Sequence, residues 1–150
     1  MDYPTLNYPP IHLRARHGDG GRIEVFDRMR GRWLVLTPEE WVRRHVVEYL
    51  RGECGYQPQQ IAEEYSVCLN GMAQRADIVV FDSDLKPRLV VECKEHNVKI
   101  DDEVLAQVVR YNSVLGARYV AITNGLTTCC YIRNDDGMYN AITRLPLSSE

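Results

Sequence analysis

The sequence predicts an α/β domain in which two helices flank a mixed, mostly antiparallel sheet. Short runs rich in Val and Ile are separated by turn residues such as Asn70-Gly71, a pattern typical of β-hairpins. Two longer segments, about 38–51 and 102–116, repeat apolar residues at helical spacing. The second lies between two apolar runs, and a strand–helix–strand order makes such strands parallel. A chain of 150 residues is long enough for one domain with one core.

Composition and charge are those of an ordinary globular protein. Hydrophobic residues make up 45% and charged residues 26% of the chain, and no apolar run is long enough to span a membrane. There is no secretory signal, and the five cysteines show no metal-ligand spacing, so we expect a cytoplasmic protein without a membrane partner. The net charge of −3 is uneven: residues 1–51 hold nine Arg against seven acids, and 52–150 hold nine bases against fourteen acids.

The N-terminal 22 residues are expected to form an irregular arm over a single domain of residues 23–150. Three prolines and a Gly-rich turn disfavour regular structure there. Two short strands follow, at 23–27 and 33–36, on either side of the basic turn 28–32. The arginines of this turn have the chemistry to contact a phosphate backbone, but we interpret the turn as a solvated loop.

The first helix has a strong start signal. Thr37 is an N-cap residue, Pro38 suits the first helical position, and Glu40 completes a capping box. We expect His45 to be a packed residue of the apolar stripe and Gly52 to end the helix. Glu40 lies on the side of the helix away from this stripe. The stripe consists of Trp41, Val42, His45, Val46, Tyr49 and Leu50.

Two central strands, at 75–82 and 89–94, carry charge where buried strands normally carry none. Side chains alternate between the faces of a strand, so Glu92 and Lys94 point to the same side. Asp77 lies on the partner strand, where pairing can place it beside them. Two carboxylates and one lysine would then converge on a face otherwise made of Val, Ile and Leu.

Charges on such strands are costly unless they are paired or bind a metal, which leaves two interpretations. One is a buried or half-buried salt bridge between Lys94 and an acid. The other is a site for Mg²⁺, or for Mn²⁺, because carboxylates are the ligands that hard cations prefer and a neighbouring lysine can orient a water molecule. The order of Asp77, then Glu92-x-Lys94 at the end of a strand, favours the cation site.

The second helix is predicted to begin at Asp101-Asp102 and to end at Gly116. Gln107 and Tyr111 are four residues apart on its apolar face, where polar groups need partners. We expect both side chains to face the sheet near Lys94 rather than solvent.

Four further strands complete the predicted sheet. The segment 61–69 precedes the central strands, and the sequence leaves open whether Glu64 supports the site or is simply exposed. The segment 118–123 follows the second helix and is expected to run parallel to the strand of Glu92. The segments 127–132 and 138–145 form a final hairpin.

These motifs together resemble a known family. Asp77 followed by Glu92-Cys93-Lys94 resembles the signature of the PD-(D/E)XK nucleases, with Ala76 in place of the usual proline. Gln107 and Tyr111 match the Gln-x-x-x-Tyr motif that follows the lysine in some branches. Their order, with the segments 37–43 and 123–125, is similar to the N-terminal nuclease domain of type I restriction enzyme R subunits over about 26–131.

The resemblance implies a restriction-endonuclease-like α/β/α core and Mg²⁺-dependent cleavage of DNA. Asp77 and Glu92 would bind the metal and Lys94 would assist the attacking water. Gln107 and Tyr111 would support the site. The family also tends to carry a glutamate on the helix before its sheet, a position that Glu40 would fill as a further catalytic residue.

Other functions stay open at this point. One is a non-catalytic nucleic-acid-binding or assembly module that keeps the nuclease fold, and another is a resolvase-like enzyme acting on branched DNA. Other restriction or repair subunits and a homodimer are compatible partners. The sequence contains no Gly-x-x-x-x-Gly-Lys phosphate loop, so no ATP-driven motor is expected in this polypeptide.

Overall fold

A computed structural model describes residues 3–150 of the chain. Within these residues the chain forms two α-helices and nine strands, with 3₁₀ turns at Asp19–Gly21 and Pro58–Gln60. In chain order the elements are β1 (Ala15–His17), β2 (Ile23–Asp27), β3 (Arg32–Val35), α1 (Pro38–Gly52), β4 (Ile61–Leu69), β5 (Met72–Phe81), β6 (Pro87–Cys93), α2 (Asp102–Leu115), β7 (Tyr119–Thr123), β8 (Thr128–Arg133) and β9 (Tyr139–Ile142).

The main sheet has six strands in the order β4-β5-β6-β7-β8-β9. Every neighbouring pair is antiparallel except β6 and β7, which are parallel because α2 crosses between them. The predicted fold class, a mixed and mostly antiparallel sheet flanked by two helices, is confirmed. The last strand is shorter than predicted: β9 ends at Ile142, and the chain bends at residues 143–144 before Pro146.

The two helices cover opposite faces of this sheet. Val46 and Leu50 of α1 pack with Ile78 and other residues of one face, while Val108 of α2 packs with Val79 and other residues of the opposite face. Successive residues of β5 therefore contribute to different cores. This explains why β5 and β6 are almost continuously apolar, as expected of strands buried on both sides.

Part of the N-terminal arm is regular, contrary to the prediction for residues 1–22. Residues 15–17 form β1, which pairs with β2 in a separate sheet of order β1-β2-β3. The prediction failed because all three residues of β1 are exposed and lack the apolar alternation that marks a strand. The beginning of the arm packs on α1, where Trp41 donates a 2.9 Å hydrogen bond to the carbonyl oxygen of Pro4 and Leu6 is buried.

The ends of α1 and α2 follow the predicted signals with one exception. Thr37 Oγ1 accepts a 3.0 Å hydrogen bond from the amide of Glu40, and Gly116 ends α2 with a left-handed φ of 70°. The predicted capping box does not form, however. The carboxylate of Glu40 bonds to Arg43 (2.7 Å) and Arg44 (3.1 Å) instead of accepting from the amide of Thr37. No helix in the described part of the chain is long and apolar enough to cross a membrane.

Candidate functional site

Asp77, Glu92 and Lys94 meet where β5 and β6 lie side by side. Asp77 is one residue beyond the Ile78–Val91 pair of the two strands, and its Oδ2 accepts a 2.7 Å hydrogen bond from the amide of Cys93. This bond holds the Asp77 carboxyl where the charge of Glu92 acts on it. Sheet pairing thus brings both predicted acids to one place.

Lys94 follows directly after β6. Its amide donates a 2.8 Å hydrogen bond to the carbonyl oxygen of Thr123 on β7, which fixes the backbone at this point. Its ammonium nitrogen lies 3.5 Å from Oε1 of Glu92, and 26% of the side chain is exposed. Lys94 is therefore placed between a buried carboxylate and solvent.

Tyr111 joins α2 to this group. Its hydroxyl donates a short hydrogen bond to Oε2 of Glu92, and both residues are buried. Burial and the charge of Glu92 raise the pKa of Tyr111 well above its usual value, so the phenol stays protonated and acts as a donor. The expected position of Tyr111 facing the sheet is confirmed.

Gln107 does not face the sheet, contrary to the expectation. Its side chain is exposed and makes no hydrogen bond within residues 3–150, because the buried positions of α2 are taken by Val108, Tyr111 and Asn112. Asn112 does the structural work expected of a buried polar residue: its side chain donates to the carbonyl oxygen of Ala117 and accepts from the amide of the same residue.

Arg43 is a member of the site that the sequence analysis missed. Its buried guanidinium donates to Oδ1 of Asp77 (3.2 Å), to Glu39 (3.1 Å), to Glu40 (2.7 Å) and to Glu64 (3.2 Å). Burial opposes the charge of Arg43, but the neighbouring Glu40 and Asp77 outweigh it and raise its pKa. One cation on α1 thus balances several acids around Asp77.

The glutamate of α1 that reaches Asp77 is Glu39, not Glu40. Glu39 and Asp77 accept hydrogen bonds from the same nitrogen of Arg43, and burial together with the charge of Asp77 raises the pKa of Glu39. Glu40 contacts three arginines instead: Arg43, Arg44 and Arg30. Glu40 therefore faces the arginines, because helix phase turns its carboxylate towards them.

Behind Arg43 lies a buried ionic cluster, which we call the arginine cluster. It consists of Arg30, Arg43 and Arg44 with Asp27, Glu40, Glu63 and Glu64. It joins the turn between β2 and β3 to α1 and β4. The interpretation of residues 28–32 as a solvated loop is wrong for Arg30, whose guanidinium is held in this cluster and is only 19% exposed.

The backbone is strained opposite Asp77. Pairing of β4 with β5 runs through Glu63–Ile78 and Tyr65–Ala76, and Glu64 between them has a φ of 51°. A non-glycine residue in this left-handed region costs on the order of 1 kcal/mol. The strain turns the Glu64 carboxylate towards Arg43. Glu64 therefore belongs to the surroundings of the site rather than to a freely exposed surface.

Burial and mutual repulsion act against two negative charges in the acid pair. Burial, followed by the charge of Glu92, raises the pKa of Asp77 from 3.8 to about 7. A divalent cation would relieve the repulsion between the two carboxylates, which otherwise keeps a proton on Asp77. Mg²⁺ is typically bound through one or two carboxylates and several waters, which this donor set fits. Within residues 3–150, no group of three or more His, Cys, Asp or Glu side chains is placed to hold a metal ion.

The raised pKa of Asp77 predicts a pH dependence of stability in the metal-free protein. Between about pH 4 and about pH 7 the folded state retains a proton on Asp77 that the unfolded state releases. The stability that this proton provides is complete below about pH 4 and is lost as the pH rises to about 7, a change of up to about 4 kcal/mol in the free energy of unfolding. Asp77→Asn should remove it. Urea unfolding of both proteins in EDTA across this range should therefore show that the free energy of unfolding of the variant increases with pH relative to that of the wild type. Parallel curves would contradict the prediction.

The acid pair and lysine on a mixed sheet between two helices define a restriction-endonuclease-like domain. A model of the family described as type I restriction enzyme R protein N terminus matches residues 38–146. The match covers more than half of the chain, and the protein belongs to this family. No curated protein matches the chain.

A solved structure has the same fold. It is a fragment of a candidate HsdR subunit of a type I restriction enzyme from Vibrio vulnificus YJ016, with a TM-score of 0.59 and 24% sequence identity. The likeness covers 77% of this chain and 24% of that chain. The present chain thus corresponds to about a quarter of the solved chain.

Proposed function

We propose that this protein hydrolyses phosphodiester bonds in DNA with the help of a divalent cation, Mg²⁺ or Mn²⁺. The observation that carries the proposal is the buried pair of Asp77 and Glu92 with the ammonium of Lys94 beside it. Such a pair is unfavourable without a cation, and a lysine at its edge is suited to phosphate chemistry. DNA is the proposed substrate because the family is named for type I restriction enzymes.

Each residue has a separate task in the proposed reaction. Asp77 and Glu92 would hold the cation, which when bound supplies positive charge to the phosphate and its attacking water. Tyr111 fixes the orientation of the Glu92 carboxylate, and the amide of Cys93 fixes that of Asp77. Lys94 is near enough to Glu92, and exposed enough, to orient a water and to balance negative charge that develops on the phosphate.

A plasmid assay tests this proposal. Supercoiled DNA should be nicked or linearised by the wild type with Mg²⁺ or Mn²⁺ and remain intact in EDTA. Glu92→Gln should be inactive, because it loses a metal ligand but keeps an oxygen that can accept from Tyr111. Asp84→Asn, in the exposed turn of the same hairpin, is the matched control and should cut like the wild type. A wild type that cuts no DNA with either cation would contradict the proposal.

A non-catalytic binding or assembly module is the second candidate. The observation that favours it is the contact of Arg43 with Asp77, because the guanidinium already neutralises one acid of the pair. In such a module the charges would serve stability alone, and type I restriction subunits or a second copy of the chain would be partners. Loss of Lys94 would then affect stability rather than catalysis.

A further inference from the structure

The outer face of the β1–β2–β3 sheet concentrates arginine and aromatic side chains. Phe26 on β2 and Trp33 on β3 are cross-strand partners with ring centroids 5.4 Å apart. Arg16 on β1 pairs across the strands with Glu24, and Arg14 immediately precedes β1. This sheet precedes residue 38, where the family match begins.

Both arginines are held over the rings. The guanidinium carbon of Arg16 lies 4.0 Å from the centroid of the Trp33 ring, and that of Arg14 lies 5.3 Å from the same ring and 5.5 Å from Phe26. A guanidinium that packs flat on a ring keeps its N–H groups directed sideways, where they can donate to phosphate oxygens. The rings thus hold two phosphate-binding groups in place.

The two arginines differ in how far their charge is already paired with an acid. Arg14 is exposed and has no acidic partner within residues 3–150, while Arg16 is half exposed and paired with Glu24 at 2.7 Å. Between residues 11 and 37 the sequence holds six arginines against three acids, and five against two remain when Arg30 and Asp27, which are held in the arginine cluster, are left out. A basic face on a chain of net negative charge favours a polyanionic partner.

The β1–β2–β3 sheet is linked to the candidate site by Arg32, whose position on β3 faces the side opposite to Trp33. Arg32, the first residue of β3, reaches Glu64 at 3.6 Å, and Glu64 contacts Arg43, which contacts Asp77. The sheet is therefore connected to the acid pair through two intervening side chains, Glu64 and Arg43.

We propose that the outer face of the β1–β2–β3 sheet binds the phosphate backbone of DNA through Arg14 and Arg16. The proposal rests on the proposed function for the choice of DNA over other polyanions. It assigns to residues that precede the matched segment 38–146 a role in holding the substrate. Binding at this face uses no metal, because neither arginine contacts the acid pair.

Fluorescence anisotropy of a labelled DNA duplex in EDTA tests the proposal without any cleavage. The double variant Arg14→Ala/Arg16→Ala should bind at least about tenfold more weakly, and its salt dependence should be shallower by about two released counterions. Arg14→Lys/Arg16→Lys keeps the charge but loses the stacked guanidinium groups, so it should lose less affinity than the alanine pair. Arg110→Ala/Arg118→Ala removes two exposed arginines elsewhere and is the matched control.

The outcomes separate this face from the nuclease proposal. Loss of binding in the alanine pair that is larger than in the lysine pair, and that is absent from the control, supports DNA binding at this face, even if the wild type cuts no plasmid. Equal binding by the alanine pair and the wild type overturns the proposal for this face, even if the wild type cuts DNA. A loss of affinity in the lysine pair as large as that in the alanine pair also overturns it. A wild type that does not bind DNA in EDTA overturns it as well.

Discussion

Lys94→Ala is expected to lower the rate of DNA cleavage by about 10²–10³-fold, the usual cost of losing one electrostatic group that acts in the transition state. The ammonium lies 3.5 Å from Glu92 at the edge of the acid pair, where it can act on water and phosphate. The folded protein should survive, because Tyr111 still donates to Glu92 and the Lys94 side chain is partly exposed. We expect a change in unfolding free energy of less than about 1 kcal/mol.

Single-turnover cleavage and urea unfolding of the same preparations would test this prediction. Lys99→Ala, an exposed lysine on the segment that follows, is the matched control and should resemble the wild type in both. The opposite pattern would contradict the proposed role. If the variant lost about 3–5 kcal/mol of stability, Lys94 would be the structural partner of a buried acid. An inactive wild type in the same experiment would favour the non-catalytic module.

Arg44→Ala should destabilise the protein by about 3–5 kcal/mol, because it removes one buried arginine partner from each of three acids with buried side chains. Arg44 is ion-paired with Asp27, Glu40 and Glu63, and the side chains of Asp27 and Glu63 are 0% and 1% exposed. Burial alone would raise the pKa of Asp27, but its bonds to Arg30 and the charge of Arg44 hold that pKa below its usual value. This carboxylate therefore depends on its arginines.

Urea unfolding near neutral pH would measure the loss. Arg51→Ala is the control: Arg51 is at the end of the same helix, 30% exposed and 3.7 Å from Glu48, and should change stability by less than about 1 kcal/mol. The deficit of Arg44→Ala should shrink at lower pH, because protonation neutralises the stranded acids. An Arg44→Ala protein as stable as the wild type would show that the arginine cluster does not stabilise the fold.

The regular elements were predictable because their signals are local. Apolar runs bounded by turn residues gave β4, β5 and β6, and Thr37 and Gly116 marked helix ends that the structure reproduces. The strand–helix–strand order gave the one parallel pair. β1 was missed because three exposed residues carry no apolar pattern, and its only support is pairing with β2.

The candidate site was predictable only in part. Asp77, Glu92 and Lys94 lie on adjacent strands, so sheet pairing brings them together whatever surrounds them. The side chains that α1 contributes to the site depend on which side of this charged helix is buried. Sequence spacing does not indicate that Glu40, Arg43 and Arg44 form a buried face. The sequence does not show which of Glu39 and Glu40 faces the site, and Glu40, the residue that was predicted, faces the arginine cluster.

Binding of Mn²⁺ by the metal-free protein tests the central claim most directly, namely that Asp77 and Glu92 share one divalent cation. Electron paramagnetic resonance of free Mn²⁺ should show one bound ion per chain for the wild type and for Asp84→Asn. Asp77→Asn should weaken binding by more than about tenfold, or ~1.4 kcal/mol. Equal binding by the wild type and Asp77→Asn, or no binding by the wild type, would contradict the account.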